Sequence, residues 1–184
     1  MEPTQSEGGR AELFVRSLLP EAARSHQQSI TDRLRSLDDD RFSAHSVTVW
    51  GKQLPATPAE TETTVGRLAH EQIAAFREWA TVNDRSLSPA FTVRTVEADL
   101  LGERYRALVL PQVLLAEYEG DALQCVTPHA SGDGIVSVTD RLAALEAGTA
   151  ATFTAVERSS THPEPPRVEA PSGTAGSDGP VPSE

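Results

Sequence analysis

Few side chains in this sequence have the type and spacing that catalysis or metal binding requires. The one cysteine, Cys125, cannot form an intramolecular disulfide or a cysteine-based zinc site, and we expect it to be a small buried residue on a strand. No two of the five histidines have the i, i+4 spacing of a helical zinc site. A thiol–disulfide oxidoreductase needs the Cys-x-x-Cys pair that this chain lacks, which excludes that activity. We therefore predict no metal, no cofactor and no catalytic residue.

The loop after Thr127 is the best position in the sequence for a ligand. His129 lies there, close to Asp133, and Ser131-Gly132-Asp133-Gly134 precedes a predicted helix, whose N-terminal N–H groups would attract phosphate. The loop lacks the lysine of a P-loop and the three glycines of a dinucleotide-binding motif. A plain turn and a packed histidine remain the alternatives.

Four arginines cluster on or just after the first predicted helix: Arg24, Arg33, Arg35 and Arg41. Arginines spaced three or four residues from acidic side chains usually form a solvated face of ion pairs. An anion-binding or nucleic-acid-binding patch is the alternative that this cluster leaves open.

The elements that must position these residues alternate between strand and helix patterns. We predict strands or extended segments at 11–17, 46–50, 90–96, 105–110, 113–118 and 123–127. Apolar residues at steps of three and four predict helices over about 21–38 and 60–82, and Ser137 to Asp140 resembles a capping box that opens a third helix. This order predicts an α/β fold in which the first two strands are parallel and the last two form a hairpin.

The composition sets bounds on the environment of the protein. There are 27 acidic against 16 basic residues, the only lysine is Lys52, and the net charge is -11. Such a chain repels itself at low salt, and the repulsion is tolerable when the Debye length falls to about 3 Å at molar ionic strength. We interpret this as the cytosolic protein of a salt-loving organism. The acidic charge disfavours non-specific binding to nucleic acid.

The domain boundaries follow from changes in composition. We predict a disordered N-terminus over 1–10, one folded domain over 11–148 and a disordered acidic tail, rich in Pro, Ser and Gly, over 149–184. No apolar run approaches the roughly 20 residues that span a bilayer, and the N-terminus does not resemble a secretory signal. We therefore expect a cytoplasmic protein that does not contact membranes.

The stretch from Leu108 to Leu115, followed by Glu119-Gly120-Asp121, resembles the proline, strand and turn of thioredoxin-like and glutaredoxin-like domains. The resemblance extends over the element order of residues 11–147. It implies a thioredoxin-like sandwich, β-α-β-α-β-β-α, with an insertion near 84–107, before the hairpin. In that fold the proline, here Pro111, is usually cis.

This resemblance also implies the position of a ligand groove. Thioredoxin-like enzymes have their cysteines at the mouth of the first helix, where this chain has Ser17-Leu18-Leu19-Pro20-Glu21. Related domains bind a peptide backbone or a γ-glutamyl group beside the proline and at the start of the last helix. By this resemblance Leu110, Pro111 and Asp133 mark the groove, and with Ser17 and His129 they are the candidate groove residues.

Four further segments are similar to a group of small acidic haloarchaeal proteins. They are Leu13-Phe14-Val15-Arg16-Ser17-Leu18, Val49-Trp50-Gly51, Phe76-Arg77-Glu78-Trp79-Ala80 and the hairpin from Leu110-Pro111 to Tyr118-Glu119. Members of that group are sometimes described as helix-turn-helix domain proteins. The resemblance therefore implies DNA binding as one possible role.

The spacing of the predicted helices argues for a different role. A helix-turn-helix unit joins two helices by a turn of about three or four residues. Here strand 46–50, Pro55 and Pro58 separate the first two helices. We favour a non-catalytic binding or adaptor domain that docks a protein partner on the proline groove or on an edge strand. A transcriptional regulator that uses Arg67, His70 and Arg77 on DNA is the alternative.

Overall fold

The computed structural model describes residues 9–16, 21–37, 41–98 and 103–157. The helices in these ranges are α1 (Glu21–Ser36), α2 (Thr64–Val82) and α3 (Val138–Glu146), and a single 3-10 turn, Pro58–Glu60, precedes α2. The strands are β1 (Gly9–Val15), β2 (Phe42–Val49), β3 (Gln53–Pro55), β4 (Thr92–Ala98), β5 (Glu103–Val109), β6 (Val113–Glu119), β7 (Ala122–Thr127), β8 (His129–Ser131), β9 (Gly134–Val136) and β10 (Val156–Glu157). The predicted mixed α/β class is confirmed.

The main sheet has five strands in the order β10-β7-β6-β1-β2. β1 and β2 are parallel, as the β-α-β pattern predicted, and β6 pairs antiparallel with both β1 and β7. The expected hairpin after Pro111 therefore lies directly beside the parallel pair. Gly120, with φ of +56°, forms the tight turn between β6 and β7. Whether the domain is thioredoxin-like stays a prediction.

Helices lie on both faces of this sheet. Successive residues of a strand point to opposite faces, so neighbouring β1 side chains pack against different helices. In β1, Leu13 and Val15 pack in one apolar cluster with residues of α1 and α3, whereas Phe14 packs in a second cluster with residues of α2. Phe76 and Trp79 of α2 are fully buried in that second cluster. α1 also contacts α3, and α2 contacts β7.

A second sheet has the order β3-β5-β4, and its strands β4 and β5 lie near the range 84–107, where we expected an insertion. β4 and β5 correspond to the two predicted extended segments. β3 was not predicted because it has only three residues and ends in a proline. The short hairpin of β8 and β9 was also not predicted.

Two strands, β1 and β2, begin earlier than predicted because their first residues pair with a neighbouring strand through the backbone. β1 begins at Gly9 rather than residue 11, since Gly9 and Arg10 pair with Glu119 and Tyr118 of β6. β2 begins at Phe42 rather than residue 46 because its first half pairs with β1 through the backbone. Ser, Ala and His in that half have weak strand preference, so local sequence gave no signal.

The predicted disordered tail is corrected over residues 149–157, which we call the strap. Phe153 contacts Trp79 edge to face, with ring centroids 5.1 Å apart, and the Asn83 side chain bonds both backbone groups of Thr154, at 2.7 and 3.0 Å. β10, at the end of the strap, pairs with β7. One aromatic ring and these hydrogen bonds order a segment whose composition predicted disorder. Residues 1–8 and 158–184 lie outside the described residues.

Candidate functional site

A groove of about 450 Å³ lies at one end of the main sheet, beside the loop from Leu110 to Gln112 and the start of α3. Two of the predicted groove residues, Leu110 and Pro111, line it. The other lining residues come from β4, β5 and β6, the ends of β1 and β7, α1 and α3, and the segment before β4: Arg16, His26, Ile30, Pro89, Ala90, Thr92, Arg94, Val109, Gln112, Val113, Pro128, Ser137, Val138 and Thr139.

Hydrogen bonds hold the proline loop in place. The Arg16 guanidinium donates to the Leu110 carbonyl oxygen, from Nε at 3.1 Å and also from Nη2. The backbone N–H of Arg16 donates to the Gln112 oxygen at 3.0 Å, and that of Leu110 donates to the Lys52 oxygen at 3.0 Å. The loop is therefore tied to the end of β1 and to the segment before β3. Among the described residues the cis peptide bond is Thr127–Pro128, so Pro111 differs from the proline expected by resemblance.

The charge of the groove is opposite to that of the chain. Its lining includes Arg16, His26 and Arg94 and no aspartate or glutamate, although acidic residues outnumber basic ones by 27 to 16 in the sequence. His26 and Arg94 are exposed. A cleft lined by one sign of charge concentrates ions of the opposite sign. This groove therefore suits an anionic ligand.

α3 begins at the groove with the predicted capping box. Ser137 Oγ accepts from the Asp140 N–H at 3.2 Å, and Asp140 Oδ2 accepts from the Ser137 N–H at 3.0 Å. Ser137 Oγ also donates to Asp140 Oδ2 at 2.6 Å, and this hydrogen bond, with the one from the Ser137 N–H, lowers the pKa of Asp140. The box fixes the position of Ser137 and Thr139 in the groove wall.

His129 does not line the groove. It is only 2% exposed, and its ring lies 5.5 Å from those of both Trp79 and Phe153. Its Nδ1 is 2.7 Å from the Val126 carbonyl oxygen, where a neutral ring donates. Burial lowers the pKa of His129, and the positive charges of Arg85 and Arg141 lower it further. His129 is a neutral core residue.

The other predicted loop residue also lies away from the groove lining. Asp133 is exposed in the turn between β8 and β9, where Gly134 has φ of +134°. β9 separates this turn from α3, so Ser131–Gly134 does not form the predicted phosphate site at the helix N-terminus. Ser17 lies outside the described residues.

Two arginines of the predicted cluster, Arg33 and Arg35, form ion pairs. Arg33 makes a bidentate pair with Glu146 of α3, at 2.7 and 2.8 Å, and this hydrogen-bonded pair lowers the pKa of Glu146. Arg35 pairs with Asp32 at 3.2 Å. Arg41 is exposed just before β2, and the Arg24 side chain lies outside what the structure describes.

A buried ion pair lies elsewhere in the core and was not predicted. Arg141 of α3 donates to both carboxylate oxygens of Glu117 in β6, at 2.6 and 2.9 Å, and to the Ala151 oxygen of the strap at 2.7 Å. Burial, with the nearby Glu117 charge, raises the pKa of the Cys125 thiol well above its usual value. A strand glutamate and a helix arginine 24 residues apart give no sequence signal that they meet.

The helices do not form the unit that DNA recognition by a helix-turn-helix requires. In the described ranges, β2 and β3 separate α1 from α2, and the six strands β4 to β9 separate α2 from α3. On α2, Arg67 and Arg77 are exposed but His70 is buried. Among the described residues no cluster of three metal-ligating side chains occurs, and no helix has the length and apolar character to cross a membrane.

Comparison with known proteins gives one positive result. A family model described as "Helix-turn-helix domain" matches residues 3–150, which include the groove, strands β1 to β9 and the helices α1, α2 and α3. No curated protein and no solved structure matches the sequence. Because the matched region is most of the chain, this protein belongs to that helix-turn-helix domain family.

Proposed function

We propose that this chain is a non-catalytic binding domain whose groove beside Pro111 takes a short acidic segment of a partner protein. The observation that carries the proposal is the charge of the groove: two arginines, one histidine and no carboxylate line it in a chain of net charge -11. Its volume of about 450 Å³ is within the usual range of ligand pockets, roughly 300–1,000 Å³.

The groove is built before any partner arrives, which favours binding. Arg16 and the Lys52 carbonyl hold the proline loop, and the capping box holds the start of α3. Binding then requires little ordering of the protein, so less interaction energy is lost. Arg94 supplies charge at the exposed rim, and the half-buried Val113 supplies apolar surface for the partner's backbone and small side chains.

The groove lining contains no thiol, and the chain's one cysteine is buried with a raised pKa, so we assign binding rather than thiol chemistry to this site. The net charge of -11 leads us to place the protein in the cytosol of a salt-loving organism.

A direct test is fluorescence anisotropy with a labelled peptide of about a dozen residues rich in Asp and Glu, at the lowest salt at which the chain is folded. Arg94→Ala should raise Kd about fivefold, since one charge-assisted contact is worth about 1 kcal/mol at an exposed site. Arg94→Glu should raise Kd further. Arg77→Ala, which removes an exposed arginine of α2, should leave Kd unchanged. The proposal would be overturned if the peptide did not bind, or if Arg94→Ala and Arg77→Ala raised Kd by the same factor.

DNA binding is the second candidate, and the description of the family favours it. It would use the exposed arginines of α2, Arg67 and Arg77, because the described helices do not form a two-helix unit with a short turn. The same assay with a labelled duplex of about 20 base pairs distinguishes the candidates. DNA binding predicts that Arg77→Ala weakens duplex binding and reduces its salt dependence, whereas the groove proposal predicts no duplex binding.

A further inference from the structure

We propose that the partner's acidic segment binds in an extended form, as an additional antiparallel strand on the outer edge of β4. This inference rests on the proposed function of the groove and specifies how the groove's ligand is held. β4 is the last strand of the second sheet, and its seven residues pair only with β5 among the described residues. Such an edge presents backbone donors and acceptors that an extended peptide can use.

A hydrogen bond on the far side of β5 shows which backbone groups of β4 are used inside the sheet. The Arg106 carbonyl oxygen accepts from the Ala56 N–H, directly after β3, at 2.9 Å, so the backbone groups of Arg106 point toward β3. Backbone groups alternate in direction along a strand, so those of Ala107 point toward β4. Ala107 pairs with Arg94, whose N–H and C=O groups therefore point toward β5.

The neighbours of Arg94 in β4 have the opposite direction. The N–H and C=O groups of Val93, Thr95 and Glu97 point away from β5, toward the outer edge. An added antiparallel strand would pair with these three residues. The seven residue pairs between β4 and β5 follow one another without a register shift, so no bulge within them turns the edge aside.

This edge is continuous with the groove at Pro111. Thr92 and Arg94 of β4 line the groove, and they lie on one face of the sheet because they are two residues apart. In an added strand, the side chain directly opposite Arg94 lies on the same face, so an acidic side chain there reaches the Arg94 guanidinium. Oppositely charged side chains at directly opposed positions of neighbouring strands attract each other.

The charge of β4 and β5 favours an acidic occupant. The two strands contain three arginines and two glutamates, whereas acidic residues outnumber basic ones by 27 to 16 in the sequence. Glu97 is paired with Arg104 at 2.8 Å. Arg94 and Arg106 are exposed and have no ion pair with another residue in the part of the chain that the structure describes. An acidic strand complements these two charges, and a basic strand is repelled by them.

The other face of the edge favours apolar residues at the intervening positions. Val93 directly precedes Arg94, so its side chain lies on the opposite face, where it is 46% exposed. An apolar side chain opposite Val93 covers it. The preferred segment therefore alternates acidic residues, on the groove side, with apolar ones. In this register the apolar residues make the backbone hydrogen bonds with β4, because they oppose Val93 and Thr95.

Fluorescence anisotropy tests this with a labelled peptide in which valine and glutamate alternate over about seven residues, the length of an ordinary strand. The salt is the lowest at which the chain is folded. Backbone N-methylation removes N–H donors and keeps every side chain. N-methylation of the valines should raise Kd at least about tenfold, because it removes hydrogen bonds with β4. N-methylation of the glutamates should change Kd by less than about twofold, because their N–H groups point away from β4.

A variant of β4 tests the same edge from the side of the protein. Thr95→Pro removes an outward N–H and leaves the hydrogen bonds with β5 in place, and prolines are tolerated at such positions of edge strands. It should raise the Kd of the unmethylated peptide about fivefold. The matched control is Thr95→Ala, which keeps the N–H and should leave Kd unchanged. If Thr95→Pro does not fold, the methylated peptides test the proposal on the original chain.

The outcomes separate this proposal from the function on which it rests. If Arg94→Ala weakens binding of the unmethylated peptide but the two methylated peptides bind equally well or equally poorly, the groove binds the peptide without adding a strand to β4. That result would overturn strand addition alone, as would a larger loss from methylated glutamates than from methylated valines. If the unmethylated peptide does not bind, the proposed function of the groove and this inference are both wrong.

Discussion

Arg141 connects three parts of the molecule through one guanidinium group. It lies on α3, pairs with Glu117 of β6 and donates to the strap at Ala151. Both charged side chains are less than a tenth exposed. Removing one partner of a buried pair leaves a charge that neither water nor protein stabilises, which is more destabilising than losing a surface pair.

Glu117→Gln should therefore reduce the free energy of unfolding by about 3–5 kcal/mol. Denaturation by urea measures this change. The matched control is Arg33→Ala, which breaks the more exposed pair with Glu146 and should cost about 1 kcal/mol or less. The double variant Glu117→Leu, Arg141→Met should lose less free energy of unfolding than the sum of the losses in Glu117→Leu and Arg141→Met alone. Similar losses in Glu117→Gln and Arg33→Ala would contradict this account.

His129 should make stability depend on pH. Its pKa in the folded protein is lowered by burial, so the unfolded chain takes up the proton first as pH falls. The free energy of unfolding should be constant above about pH 7.5 and should fall as pH drops through the unfolded value of about 6.5. His129→Phe should flatten this slope, whatever its effect at neutral pH. An unchanged slope between pH 7.5 and 5.5 would show that other groups cause it.

At the scale of elements, the strap completes the core on the α2 side. Phe153 contacts Trp79 and His129, and β10 covers the outer edge of β7. Phe153→Ala should reduce the free energy of unfolding by about 2 kcal/mol, less than the roughly 3–5 kcal/mol of a fully buried phenylalanine, because Phe153 is only half-buried. Hydrogen exchange at Val156 should also accelerate.

The control for the strap is Thr152→Ala, an exposed position in the same segment. It should change neither stability nor exchange. If Phe153→Ala left both unchanged as well, the strap would not contribute to the core.

Elements with a local signal could be predicted from the sequence. The helices α1 and α2 follow from apolar residues at steps of three and four, α3 from its capping box, and the last hairpin from Glu119-Gly120-Asp121. The first half of β2 and the strap had no such signal. Both segments take up a defined structure through contacts with residues distant in the sequence, such as Gly9 for β2 and Trp79 for the strap.

The candidate site was predictable only in part, because residues distant in the sequence come together to form it. Leu110 and Pro111 were expected in the groove by resemblance, and they line it. Arg94 and Arg16 were not singled out, because the topology of β1 and β4, not spacing, brings them to the groove. His129 was expected at a ligand site, but its burial depends on Trp79 and Phe153, each more than twenty residues away.

For the whole molecule, charge is the dominant variable. A net charge of -11 destabilises the compact state by self-repulsion, and salt screens that repulsion. The free energy of unfolding should therefore increase between 0.2 and 2 M KCl. Replacing the exposed Glu71 and Glu78 of α2 by Gln should reduce this salt dependence. A free energy that is flat or falls with salt would contradict the salt-adapted environment.

The central claim is that the groove at Pro111, rather than α2, is the surface that meets the partner. Amide chemical-shift mapping of the full chain during titration with the acidic peptide tests it most directly. We predict shifts concentrated at Arg94, Gln112 and Thr139, with Arg67 and Arg77 unaffected, and no comparable shifts with duplex DNA. Shifts confined to α2, caused by DNA and not by the peptide, would contradict the account.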